Sequence, residues 1–397
     1  MAPREAVLRT GDEGPLPRPV GRRASPLSTY DVAVVGLGIV GACAVHALAR
    51  TGARVIALDA GAPAGGTSGT SFAWLNSCKK EPEHYHRLNA EGMAEHRRLA
   101  QELGADGGHH DGGSLEWAEG GDERELRERV ARLASRGYAA DFISRDRARS
   151  MEPGLAIPDH VREVAFYAGD AWLDAPRLIR AVLEAARKKG AEIRPNTPVR
   201  SLRVDGASAG AVVTDGGGIE ARALLVCVGP VTRAFLAPLG VEMPIERVYG
   251  QLTITSRPPV ALQRVVHAPG LHFRPDASGG LMLGTDDLNG PVIEAASPAE
   301  REEIAERMLE RARRVFPAAR DVKVMEYRVG VRPMPADRHT VAGSVPGVAN
   351  AWMIATHSGV TLGPLLGRLI ADEILRDTPS ATLAPFRPER FAAARAS

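Results

Sequence analysis

The stretch Asp31-Val-Ala-Val-Val-Gly-Leu-Gly-Ile-Val-Gly41, followed by a helical run and then by Arg54-Val-Ile-Ala-Leu-Asp59, decides the fold. Val32 to Val35 read as a buried strand. Gly36, Gly38 and Gly41 then give a tight turn, a close approach of backbone to a pyrophosphate, and a close helix-on-strand contact. The helix expected from Ile39 to Arg50, with Ile39 and Val40 in its first turn, aims its free amides and positive dipole end at the phosphates. Gly52 lets it stop before the second strand. Asp59 ends that strand, where a carboxylate accepts both hydroxyls of an adenosine ribose and disfavours a 2′-phosphate. The unit is thus a dinucleotide site with NADP disfavoured; FAD and NAD both remain open on these residues alone.

Val32 to Ala49 is nearly unbroken apolar sequence of about the length that spans a bilayer. Three glycines and His46 argue against a membrane span, and a central parallel strand buried on both faces accounts for the run. With 397 residues, 44% hydrophobic and 25% charged, the chain has room for two domains of ordinary soluble composition. A net charge of +2 without basic runs interleaved with aromatics gives no sign of a nucleic-acid or acidic-membrane partner, so the expected partner is a small molecule. Cys43, Cys78 and Cys227 are scattered and odd in number, which argues against a disulfide framework or a metal site and for a reducing compartment. Residues 1–29, rich in Pro, Arg and Gly, read as a disordered extension. Arg22-Arg23 is not followed by a removable apolar segment, so a twin-arginine export signal is rejected and the cytoplasm is expected.

Further along, Gly65 to Trp74 is a small-residue loop, and a charged helical region runs to about Leu103. An amphipathic helix is expected over Glu123–Arg136 with a solvated charged face. Asp174 and Pro176 mark the start of a helix that Gly190 ends. Strands are expected at Glu192–Arg194, Val199–Val204, Ala211–Thr214 and Ala223–Val228. Alternating patterns at Gln251–Thr255 and Leu281–Gly284, with a helix over Pro298–Val315, suggest an antiparallel sheet carrying a helix. Val329-Gly-Val-Arg-Pro333, Trp352–Ala355 and a helix over Leu365–Leu375 return to the first pattern, so the dinucleotide unit is discontinuous.

These pieces together resemble the D-amino-acid oxidase family of flavoproteins, the group that includes glycine oxidase, monomeric sarcosine oxidase and D-amino-acid dehydrogenase. The resemblance spans Tyr30 to about Asp377. It rests on Gly36-Leu-Gly-Ile-Val-Gly41, Gly66-Thr-Ser-Gly-Thr-Ser71, Gly169 to Pro176, Cys227-Val-Gly-Pro230, Gly330-Val-Arg-Pro333 and His357-Ser-Gly-Val-Thr361. It implies an α/β fold: a discontinuous Rossmann-like FAD-binding domain (30–103, 157–238 and 327–397 with the C-terminal tail) and an α+β substrate domain on an antiparallel sheet (104–156 and 239–326). FAD would lie extended, with its pyrophosphate at Gly36 to Gly41 and its ribose at Asp59. The stretch toward the flavin would pass Thr67, Ser68 and Ser71, with Gly229 in the cofactor-binding set and the backbone of Val199 at the adenine. The turn Gly359, Val360, Thr361 and Leu362 would face the flavin pyrimidine with backbone amides, which stabilise the negative charge of a reduced flavin.

The resemblance also places Arg332 where glycine oxidase-like members grip a substrate carboxylate, a task suited to a two-pronged guanidinium. The alternative for Arg332 is a structural salt bridge. His272 falls where relatives often carry a pocket tyrosine; it would bind the amine or keep it neutral, or else be a strand histidine without a catalytic part. His357 would face the flavin or hydrogen-bond backbone. Met282 and Met334 replace the oxygen-activating lysine and the flavin-tethering cysteine of sarcosine oxidase-like members, and Thr361 replaces a carboxylate-binding lysine. FAD is therefore expected to be non-covalent, with Arg332 alone on the carboxylate. The implied reaction is hydride transfer from a carbon bearing a neutral amine, giving an imine that hydrolyses. The alternatives are a dehydrogenase using a quinone or protein acceptor instead of oxygen, and a flavin-binding protein without turnover. Oligomeric state stays open.

Overall fold

The computed structural model describes residues 4–7 and 30–393. Strands Glu192–Arg194, Val55–Leu58, Tyr30–Val35, Gly217–Val226 and Ala351–Ala355 form a parallel sheet in that spatial order, with Val341–Ser344 antiparallel at its edge. Successive side chains leave opposite faces of this sheet, and both faces are covered. Val32, Val34, Val55 and Ala57 pack with helices Ile39–Arg50, Ala175–Lys188 and Gly359–Arg376. Ala33, Val35, Ile56 and Leu58 pack instead on a meander of Val199–Asp205, Ser208–Thr214 and the start of Gly217–Val226. That double burial is why Val32 to Ala49 reads as an unbroken apolar run. No helix among the described residues is long and apolar enough to cross a membrane.

Glycines set how closely these elements approach. A Cβ at Gly41 would fall 1.9 Å from the Gly36 carbonyl oxygen, and Gly36, at φ +99°, lies where a Cβ would be 2.4 Å from Cys227 O. Where helix Gly359–Arg376 crosses helix Ile39–Arg50, a Cβ at Gly367 would meet Ala44 N at 2.7 Å. Helix starts follow local chemistry: Asp174 Oδ1 accepts from Arg177 N (3.1 Å), and Ser297 and Glu300 form a capping box at helix Pro298–Val315.

The second sheet is mostly antiparallel. Its order is Arg4–Val7, Val324–Pro335, Ile245–Thr255, Leu281–Gly284, Leu271–Pro275, Val265–Ala268, Ser114–Glu116, Glu163–Tyr167 and Ala140–Ser144. Helix Pro298–Val315 covers one face, packing Ile304, Met308 and Leu309 with Phe273, Leu283 and Val329. The other face carries Leu252, Ile254 and Met282 against Phe72 of the small-residue loop. Two expected domain boundaries shift. Glu163–Tyr167 and Val324–Pro335 both belong to this sheet, the latter because it pairs with Ile245–Thr255 along its length, from Ile245↔Pro335 to Thr255↔Val324. The expected disordered extension differs at Arg4–Val7, which pairs in parallel with Glu326–Val329 and so satisfies an open strand edge; the rest of 1–29 lies outside the described residues. The helix expected from Leu365 begins instead at Gly359 and contains Pro364.

Gly367→Val should lower the free energy of unfolding in urea by about 2–3 kcal/mol, because the new methyls meet backbone rather than flexible side chains. Gly210→Ala, whose Cβ meets nothing within 4 Å, should change it by less than about 0.5 kcal/mol.

Candidate active site

Two helix N-termini converge. Helix Ile39–Arg50 follows Gly38 with no side-chain cap, and helix Gly359–Arg376 follows Ser358 with none either. The first amides of any helix lack intrahelical acceptors, so each start offers free donors and a positive dipole end. The two starts touch: a Cβ at Gly359 would lie 3.4 Å from Val40 Cγ2, and one at Gly363 would lie 3.3 Å from Ile39 Cγ1.

Around the first start, Ser68 Oγ accepts from Ile39 N (2.9 Å) and stands 3.1 Å from where a Gly38 Cβ would be. Asp59 ends its strand with Oδ2 accepting from Leu37 N (2.6 Å) and Oδ1 from Gly61 N (2.9 Å), leaving a second lone pair on each oxygen. Thr197 N donates to Asp59 O (2.7 Å), which carries the half-buried Val199 to the same edge. Gly229, at φ +58°, opens the turn just after Cys227, the neighbour of Gly36. Ser71 Oγ accepts from Ala73 N (3.1 Å). Free donors at a helix start, a glycine turn without Cβ atoms and a half-satisfied carboxylate fit an extended dinucleotide diphosphate.

Thr67 donates to Val331 O, and a Cβ at Gly330 would be 2.4 Å from Thr70 Oγ1. The loop therefore fixes the strand that carries Arg332. Arg332 Nη2 donates to Tyr249 O (3.2 Å), its guanidinium lies over Gly250, and its Nε is buried without a partner. Among the described residues no carboxylate lies within ion-pair distance of Arg332, so the salt-bridge alternative finds no partner. Burial lowers its pKa, offset by nearby Asp286.

His272 is half-buried, its ring 4.7 Å from Phe72 and edge-on to it, filling the space a Cβ at Gly284 would take. Burial pushes its pKa down to about 4, with Lys79 and Arg332 pushing the same way and Asp286 opposing. His357 makes no hydrogen bond to the described residues, so the backbone-bonding role is not seen. It is exposed, yet the loss of solvent around its ring, with Lys80, Arg332 and Arg338, holds it well below the usual imidazole range. Arg332 thus acts electrostatically on both histidines, and the structure brings the three together. Thr361 is buried, donating to Trp74 O (3.4 Å), and Leu362 N donates to Ser358 O (2.9 Å).

Several residues of this neighbourhood escape sequence reading. His267 pairs across the hairpin with His272 (5.7 Å between rings) and lies tilted against Trp74 (4.1 Å), with its Nε2 unpartnered. The Pro269-Gly270 turn between two alternating runs is the signal that points to that pairing. Asp170 is fully buried and accepts from Trp74 Nε1 (2.9 Å), Ser114 Oγ (2.7 Å) and Tyr138, fixing Trp74; burial raises its pKa to about 7. A cleft of about 290 Å³ lined by Lys79, Glu116, Trp117, His267, His272 and Asp286 adjoins the histidine pair. Among the described residues no group of three or more His, Cys, Asp or Glu is arranged to hold a metal ion. Met282 is buried in the small apolar cluster with Phe72, and Met334 is buried on the Arg332 strand.

The two sheets and the paired helix starts fit a dinucleotide-dependent enzyme. The chain belongs to the DAO family of FAD-dependent oxidoreductases, whose model matches residues 31–373. It is 27% identical over 377 residues to one of the subunits of the opine oxidase of Agrobacterium tumefaciens, covering 92% of this chain and 99% of that one. It is also 27% identical to glycine oxidase of Geobacillus kaustophilus over 368 residues, covering 90% and 96%. The crystal structure of glycine oxidase from Geobacillus kaustophilus superposes with a TM-score of 0.81 at 26% identity, covering 91% of this chain and 98% of that one. The cofactor is accordingly FAD, and the NAD alternative falls away.

Imidazole NMR should find His272 neutral across about pH 5–8. A depressed folded pKa makes the unfolded chain take up the proton first, so His272 contributes stability above about pH 6.5 that is lost as pH falls toward about 4. His272→Phe should flatten that part of the stability–pH curve.

Proposed function

We propose that the enzyme oxidises the carbon–nitrogen bond of an amino acid or N-substituted amino acid to an imine, which water then hydrolyses. The observation that carries this reading is Arg332: a mostly buried guanidinium without a carboxylate partner among the described residues, beside two histidines held neutral. A mostly buried cation with no carboxylate in ion-pair contact is costly, and a substrate carboxylate would supply one while fixing the angle of the carbon to be oxidised. The relatives named opine oxidase and glycine oxidase support a carboxylate-bearing amine.

FAD, when bound, supplies the acceptor for the hydride that leaves the carbon. Gly36, Gly38, Ile39, Val40, Gly41 and Ser68 would hold its diphosphate. Asp59 would take the ribose, and Val199 the adenine. Gly229 would close the nucleotide turn, and Thr67 and Ser71 would line the path toward the flavin. Gly359, Val360, Thr361 and Leu362 would face the pyrimidine. Met334 provides no thiol for a covalent tether, so FAD should dissociate. His272, neutral and against Phe72, can accept a hydrogen bond from the amine without adding a like charge that would repel a cation. The cleft beyond His272 leaves room for a substituent on the substrate. His357 would line the flavin side of the same recess.

Met282 favours a second reading for the electron acceptor, since no cation stands at that position to assist oxygen. Anaerobic mixing with glycine, sarcosine, proline and D- and L-amino acids should bleach the flavin band with at least one of them. Fast recovery in air makes the enzyme an oxidase, and slow recovery makes it a dehydrogenase. Arg332→Leu should cut kcat/KM for the carboxylated substrate by roughly a hundredfold or more, mostly through KM. Unchanged kinetics would remove Arg332 from the substrate site.

A further inference from the structure

Helix Gly359–Arg376 carries Pro364 in its second turn. Proline has no N–H to give to the carbonyl four residues back, and its ring crowds that carbonyl. The carbonyl concerned is Val360 O, in the first turn. His96 Nε2, on helix Glu83–Leu103, stands 2.6 Å from Val360 O and can only donate to it. His96 is 2% exposed, and burial pushes its pKa down to about 4, so the ring is a neutral imidazole with its proton on Nε2.

The same helix face grips this turn at two other points. Gly92, one turn earlier, lies so close that a Cβ there would fall 2.6 Å from Thr361 O. Tyr85 OH is 2.8 Å from Ser358 Oγ. Residues 85, 92 and 96 lie on one side of a helix. Together they hold the turn's N-cap and two successive carbonyls.

We infer that His96 is a positioning residue for the flavin: by taking the carbonyl that Pro364 leaves open, it fixes the Val360–Thr361 peptide plane and thereby the direction of the Thr361 amide. The peptide unit is planar and trans, so its C=O and N–H point in opposite directions. Holding Val360 O toward His96 turns the Thr361 N–H away from it, toward the open end of the helix. The inference rests on the proposed placement of Gly359 to Leu362 at the flavin pyrimidine. Without His96 the plane is free to tilt, and the donor that stabilises negative charge there loses its aim.

The test uses the FAD-loaded enzyme and sulfite, whose adduct leaves negative charge on the flavin ring, together with the flavin midpoint potential. His96→Leu should raise the sulfite Kd about five- to tenfold and lower the potential. His96→Gln, which keeps an N–H donor, should stay within about twofold of the parent. The double variant H96L/P364A should also return to within about twofold, because an alanine in place of Pro364 restores the intrahelical donor to Val360 O. Parent-like sulfite binding in His96→Leu would overturn the inference, and so would failure of Pro364→Ala to rescue it. Neither readout needs turnover. A flavin bleached by no amine, with the His96 pattern intact, would instead count against the proposed reaction.

Discussion

The structure depends on how closely two helix starts can be brought together over one glycine turn. Gly36 and Gly41 press helix Ile39–Arg50 onto its own strand, and Gly367 presses helix Gly359–Arg376 onto Ala44. Any side chain at these points would strike backbone, which does not yield as a flexible side chain would. The outcome is electrostatic as much as steric. Two helix starts whose N-cap residues offer no side-chain cap bring their first amides together, and an elongated dinucleotide that is anionic in the middle and gains charge at one end on reduction suits that arrangement.

The second sheet is held to this arrangement through the loop that follows the nucleotide unit. Thr67 and Thr70 dock on Gly330 and Val331, while Phe72 and Trp74 lie against the second sheet. Arg274 secures the contact from the other side: almost fully buried, it donates to Phe72 O and sits over the Phe72 and Trp172 rings. Loss of solvent lowers its pKa to about 10, still far above neutrality, so it stays a cation. A rigid joint of this kind matters for chemistry in which a carbon and a flavin must meet within a fraction of an ångström.

Much of the nucleotide half is legible in the sequence because its determinants are local. The helix Ile39–Arg50, the strand Glu192–Arg194 and the helix Ala175–Lys188 occur where glycine spacing, apolar runs and capping residues put them. The shifted boundaries have a non-local cause. Nothing within Val324–Pro335 says that it pairs with Ile245–Thr255 rather than returning to the parallel sheet, because a strand's partner is chosen by residues far away along the chain. Local rules start helix Gly359–Arg376 only after Pro364, since the donor that repairs its first turn comes from His96, on a different helix.

The sequence by itself determined that the chain carries a dinucleotide unit, that a carboxylate, Asp59, ends the second strand of that unit, and that two unlike sheets make up the fold, since glycine turns and hydrophobic periods act over a few residues. Tertiary structure alone decided what surrounds Arg332: no ion-pair partner among the described residues, Gly250 beneath it, and His272 and His357 within its field. It also brought His267 against Trp74 and His96 against Val360 O. Burial and the absence or presence of a partner are sums over every neighbouring segment, and those sums set charge, protonation and aim at a site that no single stretch of the chain contains.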